Sequence, residues 1–284
     1  MTANIDTEPT TPYKASEMNE RIEKEIERLG SQALWGWDKE SRNLSWFGLV
    51  DGMSILELGS GPGFVTEQLI ALCPNSHITC VEIDRDLILH AEQYLQSKRL
   101  ESHYTIIQGD LMTMDMPDNI FDFAVARLVF QHLRDPRGAL AEILRVLKPG
   151  GKLVIHDIDI GLGEIVDPQN TAAEAIEGRL HESRSERGGN PRIGRQLWRL
   201  MAATGYENMD LEVVPVHTDK MGIEAIFPDE WDAGAFKPAL DLGAITDADV
   251  EILHEAHQAF QASPDKYALF VSLMVCGQKV PRQK

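Results

Sequence analysis

The period of the apolar positions alternates regularly along the middle of the chain. "MSILEL" (53–58) is a short apolar run, followed by helical spacing over about 63–73. "HITCVEI" (77–83) is β-branched and apolar, and "RDLILHAEQYLQSK" (85–98) returns to a helical period. "YTIIQG" (104–109) and "FDFAVARL" (121–128) read as strands. "PRGALAEILRVL" (136–147) reads as a helix opened by proline and stopped by "KPGG", and "KLVIHDI" (152–158) as a fifth strand. Short continuous apolar strands separated by helices indicate a parallel sheet, because the crossover helices bury both of its faces.

The flanks follow other patterns. "SEMNERIEKEIERLGSQALWGWD" (16–38) predicts one helix, with Ser16 as cap and Met18, Ile22, Ile26 and Leu29 on one stripe. Residues 1–15, with Pro9 and Pro12, read as a flexible arm. Beyond residue 158, "IGLGEIVDPQN" reads as a loop. Helices are expected at 171–187 and 194–204 around the turn "GGNP", and a strand at 211–217. Segment 218–264 holds two further helices, and "KYALFVSLMVCG" (266–277) is the last strand. The expected organisation is an arm (1–15), an N-terminal helical lid segment (16–50), a core (51–160), and lid helices with closing strands of the same domain (161–284).

Composition narrows the function classes. A hydrophobic fraction of 43% is ordinary for a globular core. The formal charge of −18, from 27 basic and 45 acidic residues, argues against a protein that tracks nucleic-acid phosphates. A local basic cluster (Arg179, Arg184, Arg187, Arg192, Arg195, Arg199) reads as a solvated helical face. Cys73, Cys80 and Cys276 lack metal-site spacing and are expected as buried free thiols, with no metal ligated. No secretory signal begins the chain, and no run reaches the about 18 apolar residues of a membrane span. A soluble cytoplasmic protein without membrane insertion is expected, and a homo-oligomer is compatible with the arm and lid.

The candidate chemistry sits at the strand ends. In "ILELGSGPGF" three glycines alternate directly behind the first strand and open a helix, so a ligand can touch the main chain and the free N–H groups of the helix start. The spacing is GxGxG rather than the GxGxxG of pyrophosphate loops, and Glu57 stands two positions before the first glycine. A carboxylate there repels pyrophosphate and attracts an ammonium. Glu82, ending the second strand, can accept bonds from ribose hydroxyls. Asp110, ending the third, can accept one from an adenine amine beside apolar Leu111. Up to this point NAD and other adenosine ligands both remain open.

Taken in order, "ILELGSGPGF", "CVEIDRDLILHAEQ", "IIQGDLMTMDMPDNIFDFAVARLVFQHLRDP" and "LAEILRVLKPGGKLVIHD" resemble the successive motifs of class I S-adenosylmethionine-dependent methyltransferases over about residues 53–158. The later "GGNPRIGRQLWRLMAATGYENMDLEVVPV" is similar to small-molecule enzymes of the ubiquinone/menaquinone and natural-product types. The resemblance implies an α/β, Rossmann-like, doubly wound sheet of seven mostly parallel strands with an antiparallel last strand, plus helical lids. It implies S-adenosyl-L-methionine as cofactor. Glu57, Gly59, Ser60, Gly61 and Gly63 would hold its methionine portion, Glu82 and Ile83 its ribose, and Gly109, Asp110 and Leu111 its adenine, with Arg127 lying over it.

The implied reaction is methyl transfer to a small, partly apolar acceptor through O, N or C. Protein methylation, or a cofactor-binding scaffold of altered chemistry such as a cyclase, are the alternatives, with an NAD dehydrogenase behind them. The candidate bases are His132 after the fourth strand, His156 and Asp157 at the end of the fifth, and His181 with Glu182 in the lid. Trp35, Trp37 and Trp231 are candidates for a pocket wall or for lid packing.

Overall fold

A computed structural model describes residues 22–162, 164–226 and 233–281; the arm, Ser16, Met18 and Trp231 lie outside the described residues. In chain order the elements are α1 (Ile22–Leu34), α2 (Trp37–Trp46), β1 (Ser54–Leu58), α3 (Phe64–Leu72), β2 (His77–Glu82), α4 (Arg85–Ser97), β3 (Tyr104–Gln108) and β4 (Phe121–Arg127). There follow α5 (Pro136–Val146), β5 (Leu147–Ile158), β6 (Ile165–Asp167), α6 (Thr171–Glu186), α7 (Gly194–Thr204) and β7 (Tyr206–His217). The chain closes with α8 (Thr218–Met221), α9 (Ile223–Ile226), α10 (Lys237–Asp241), α11 (Asp247–Ala262) and β8 (Tyr267–Lys279).

One sheet of eight strands runs β3-β2-β1-β4-β5-β8-β6, with β7 also paired to β8. The first five strands in that order are mutually parallel, and β8 is antiparallel to β5, β6 and β7. The strand beyond the seven expected is β6, which lies in the segment read as a loop. The three residues of β6 pair with Tyr267–Leu269 where β5 pairs with Ser272–Gln278, so β6 prolongs the edge that β5 begins. So short a run carries no sequence periodicity.

The alternation of side chains along the strands builds two cores. Leu56, Leu58, Ala124, Ala126, Leu153 and Ile155 face α5 and α7, while Ile55, Cys80, Phe123, Val125 and Val154 face α2 and α3. Glu57 is paired in register with Cys80 and Val125, so it points to the second of these faces. His156, opposite Arg127, falls on the face of Val154, and Asp157 on the face of Ile155.

Local chemistry sets the helix ends. The carboxylate of Asp84 accepts from the N–H groups of Asp86 and Leu87 to start α4, and Asp135 with Pro136 starts α5. Thr246 and Asp249 form a reciprocal capping box on α11. The single helix expected over 16–38 is interrupted. Gly36 takes φ 70°, and a Cβ there would lie 2.6 Å from Val214 Cγ1, so the chain turns at close quarters against β7 before α2 begins. Segment 218–264 divides more finely than expected, with α8 to α11 among its described residues. All three cysteines are buried and free. No described helix is long and apolar enough to cross a membrane.

Candidate functional site

The glycine loop joins β1 to α3, and its three glycines all have positive φ, at 65°, 55° and 85° for Gly59, Gly61 and Gly63. They differ in what surrounds them. A Cβ at Gly59 would lie 2.5 Å from Val129 Cγ2, and one at Gly63 3.2 Å from Ala91 and Leu95 side-chain atoms. At Gly61 nothing lies within 4 Å. Gly59 and Gly63 are therefore glycines because the protein packs on them. Gly61 alone presents bare main chain to open space.

Behind the loop lies a cavity of about 20 Å³, lined by Glu57, Gly59, Ser60, Val65, Val125 and Arg127 among others. That is room for one water-sized group. Glu57 is buried; its Oε2 accepts the Thr66 hydroxyl at 2.6 Å and a weak contact from Cys80 Sγ at 3.5 Å. Burial pushes its carboxyl up to about 7, against the lowering effect of Thr66 and Cys80. Ser60 Oγ is buried without a hydrogen-bond partner. A buried carboxylate, the Arg127 side chain and an unpartnered hydroxyl around a small void suit a compact headgroup that carries both charges, its ammonium towards Glu57.

At the end of β2, Glu82 is turned towards the loop. Its Oε2 accepts from Gly61 N–H at 2.8 Å, and its Oε1 from Ile83 and Asp84 N–H at 2.8 and 2.9 Å. Burial raises its carboxyl above the usual range, and the three N–H groups oppose that shift. Glu82 thus braces the glycine loop, a role the sequence did not reveal, while each oxygen keeps lone-pair capacity for a further donor. Ile83, 39% exposed, stands out of the strand tip, and Leu111 is buried. Gly109 N–H bonds Glu82 O at 2.9 Å, which aligns the two strand ends. Asp110 is half-buried and accepts from Met112 N–H at 2.9 Å.

Arg127 is held by the N-terminal helices. Its Nε donates to Glu40 Oε2 at 2.9 Å, and its Nη2 donates to the carbonyls of Gln32 and Trp35 at 2.9 and 3.1 Å. His156 Nδ1 lies 3.0 Å from the same Glu40 oxygen, and its Nε2 lies 2.6 Å from Ser272 Oγ. Glu40 is fully buried. Burial acts to raise its carboxyl, but the charges of Arg127 and His156 hold it down to about 2. Sequence reasoning passed over Glu40, although the signal was present: Trp37, Glu40, Leu44 and Phe47 fall on one helical stripe, and a carboxylate on an apolar stripe calls for a partner.

The candidate bases separate accordingly. His156 is buried between α2 and β8, its Nε2 at Ser272 and its Nδ1 beside Glu40, and it has no open face for an acceptor. Asp157 is also fully buried. It accepts from Ile158 and Gln131 N–H at 2.8 and 3.1 Å, and burial raises its carboxyl to about 7. It ties β5 to the 3-10 turn Phe130–His132 that follows β4.

His132 in that turn is half-buried. Burial, then the charges of Arg184 and Arg28, lower it to about 4, so its ring is neutral at pH 7. His181, on α6, is half-buried and lowered by burial and by Arg184 and Arg192. Both histidines thus share Arg184 as a neighbour, and the Asn190 N–H to Gln131 O bond at 2.7 Å holds the end of α6 near the turn. Glu182 is exposed. Trp37 packs on the α2–α3 core, and Trp35 contributes its carbonyl to Arg127. In the arginine cluster Arg179 pairs with Asp249 and Arg195 with Asp159. Among the described residues no group of His, Cys, Asp or Glu is placed to hold a metal ion.

Residues 56–155 match the family described as a methyltransferase domain. An uncharacterized methyltransferase of Schizosaccharomyces pombe is 32% identical over 165 residues, which cover 55% of this chain and 58% of that relative. This chain therefore spans less than two thirds of that protein's length. A demethylmenaquinone methyltransferase of Chlamydia pneumoniae is 28% identical, over 70% of this chain and 78% of that relative. Among solved structures, the [4+2]-cyclase SpnF superposes with a TM-score of 0.55 at 19% identity, covering 85% of this chain and 82% of the cyclase, a likeness of fold.

Proposed function

We propose that this chain, a member of the class I S-adenosylmethionine-dependent methyltransferases, transfers a methyl group to a small, partly apolar acceptor. The observation that carries the reading is the bare main chain at Gly61, set between the buried carboxylates Glu57 and Glu82, with Asp110 at the next strand end. An ammonium fits beside Glu57, ribose hydroxyls can donate to Glu82, and an adenine amine can donate to Asp110 between the apolar side chains of Ile83 and Leu111. A pyrophosphate against the loop would stand between the carboxylates of Glu57 and Glu82, which disfavours NAD.

When bound, S-adenosylmethionine supplies an activated methyl group with a neutral thioether as leaving group. The protein's part is to align the acceptor and exclude water, so positioning carries most of the rate. The acceptor would enter between α6 and the turn that bears His132. Neutral at pH 7, His132 and His181 can orient a hydroxyl or amine there, or accept its proton. His156 and Asp157 do not take this part, because their polar atoms serve the fold. The relative named for demethylmenaquinone supports a small-molecule acceptor.

Two experiments test the reading. Calorimetry is expected to show binding of S-adenosylhomocysteine and none of NAD; the reverse result would refute the assignment. Incubation with methyl-labelled S-adenosylmethionine and a panel of quinone, polyketide, alkaloid and aromatic acceptors is expected to label one class. Binding without label transfer to any of them would favour the cyclase-like alternative.

A pH dependence also follows. With its carboxyl near 7 against an ordinary 4.5, folded Glu57 keeps a proton between those values that the unfolded chain has lost. Its burial therefore weakens the ligand-free protein as pH rises through that window. An ammonium beside the carboxylate reverses the effect. The rise in melting temperature caused by S-adenosylhomocysteine is thus expected to grow between about pH 5 and pH 8 in scanning fluorimetry, and Glu57→Gln should flatten it. A ligand shift independent of pH in the unaltered protein would place the ammonium elsewhere.

A further inference from the structure

The unused donors of Arg127 lead to a role for α2. A guanidinium carries five N–H groups. Glu40 takes the one on Nε, and the carbonyls of Gln32 and Trp35 take the two on Nη2, which leaves both on Nη1 without a partner among the described residues. Arg127 lines the cavity behind the glycine loop, and Ser60 Oγ, also lining it, is buried and unpartnered. An open pair of cationic N–H groups beside an open hydroxyl is a receptor for a carboxylate.

The orientation of that receptor is fixed from outside the matched domain. Glu40 lies 87 residues before Arg127 in the chain and is buried with it. His156 grips the same Glu40 oxygen and is itself braced by Ser272. Resting on the cofactor assignment above, we infer that Glu40 is a positioning residue for the cofactor's amino-acid carboxylate, holding Arg127 so that Nη1 and Ser60 receive it, and that carboxylate binding in turn fastens α1 and α2 onto the core. The coupling is reciprocal: whatever steadies Arg127 steadies the Gln32 and Trp35 carbonyls, and the converse holds too.

The test compares S-adenosylhomocysteine with its decarboxylated analogue, S-adenosyl-3-thiopropylamine, which keeps the ammonium and the adenosine. The unaltered protein is expected to bind the first at least about tenfold more tightly, the scale on which an oriented charged contact acts. Glu40→Gln is expected to erase most of that preference by weakening S-adenosylhomocysteine alone. Equal weakening of both ligands, or of neither, overturns the inference and leaves the cofactor assignment intact. If the unaltered protein binds neither ligand, the assignment falls and the inference with it.

Should Glu40→Gln fail to fold, hydrogen exchange on the unaltered protein decides. Amides in residues 22–46 are expected to slow with S-adenosylhomocysteine and not with the analogue. Exchange that responds alike to both ligands overturns the role of the carboxylate.

Discussion

Gly61→Ala is expected to remove S-adenosylhomocysteine binding, by at least about tenfold, while Gly59→Ala is expected to compromise the fold. Both positions have positive φ, so an alanine costs about 1–2 kcal/mol of backbone strain at either. At Gly61 that is nearly the whole cost, because the added methyl meets no protein atom within 4 Å. It would instead stand where the proposed cofactor would touch the loop. At Gly59 the methyl would also overlap Val129, a stiff β-branched side chain, and forced packing of this kind adds about 1–3 kcal/mol. The sum, about 2–5 kcal/mol, is a large part of the about 5–15 kcal/mol that stabilises a folded domain. Thermal melting and calorimetry on the two variants check the contrast. A Gly61→Ala protein that binds like the unaltered one would mean that no ligand lies against this loop.

Glu40→Ala is expected to destabilise the protein by about 3–5 kcal/mol, because it leaves the buried guanidinium of Arg127 without its anion. Arg127→Met alone strands Glu40 in the same way, except that His156 still faces it. The double variant is expected to cost clearly less than the two single changes summed, since neither charge then remains unpaired. Denaturant titration of the four proteins measures this coupling. Strict additivity would show that the 2.9 Å contact carries no net interaction and would remove the basis for treating α2 as part of the site.

Much of the site is legible in the order of the residues alone. The succession of periodicities places Glu57, Glu82 and Asp110 at the ends of parallel strands, and in such a sheet those ends converge because every strand points the same way. The glycine spacing is legible too, though not which glycine serves a ligand. That distinction depends on Val129, Ala91 and Leu95, which reach the loop from well further along the chain. His156 shows the limit from the other side. Its position at a strand end qualified it as a base, yet its ring is enclosed by Glu40 and Ser272, contributed by a helix and a strand from opposite ends of the chain.

By itself, the periodicity of the sequence determined a parallel sheet covered by helices and the acidic strand ends, while the doubly wound order and the antiparallel closing strand followed from the family resemblance. Only the tertiary structure decided that the N-terminal helices are fastened to the site through Glu40, Arg127 and His156. Ion pairs between distant segments leave no period in the sequence. They exist because folding buries those charges together, where each requires the others.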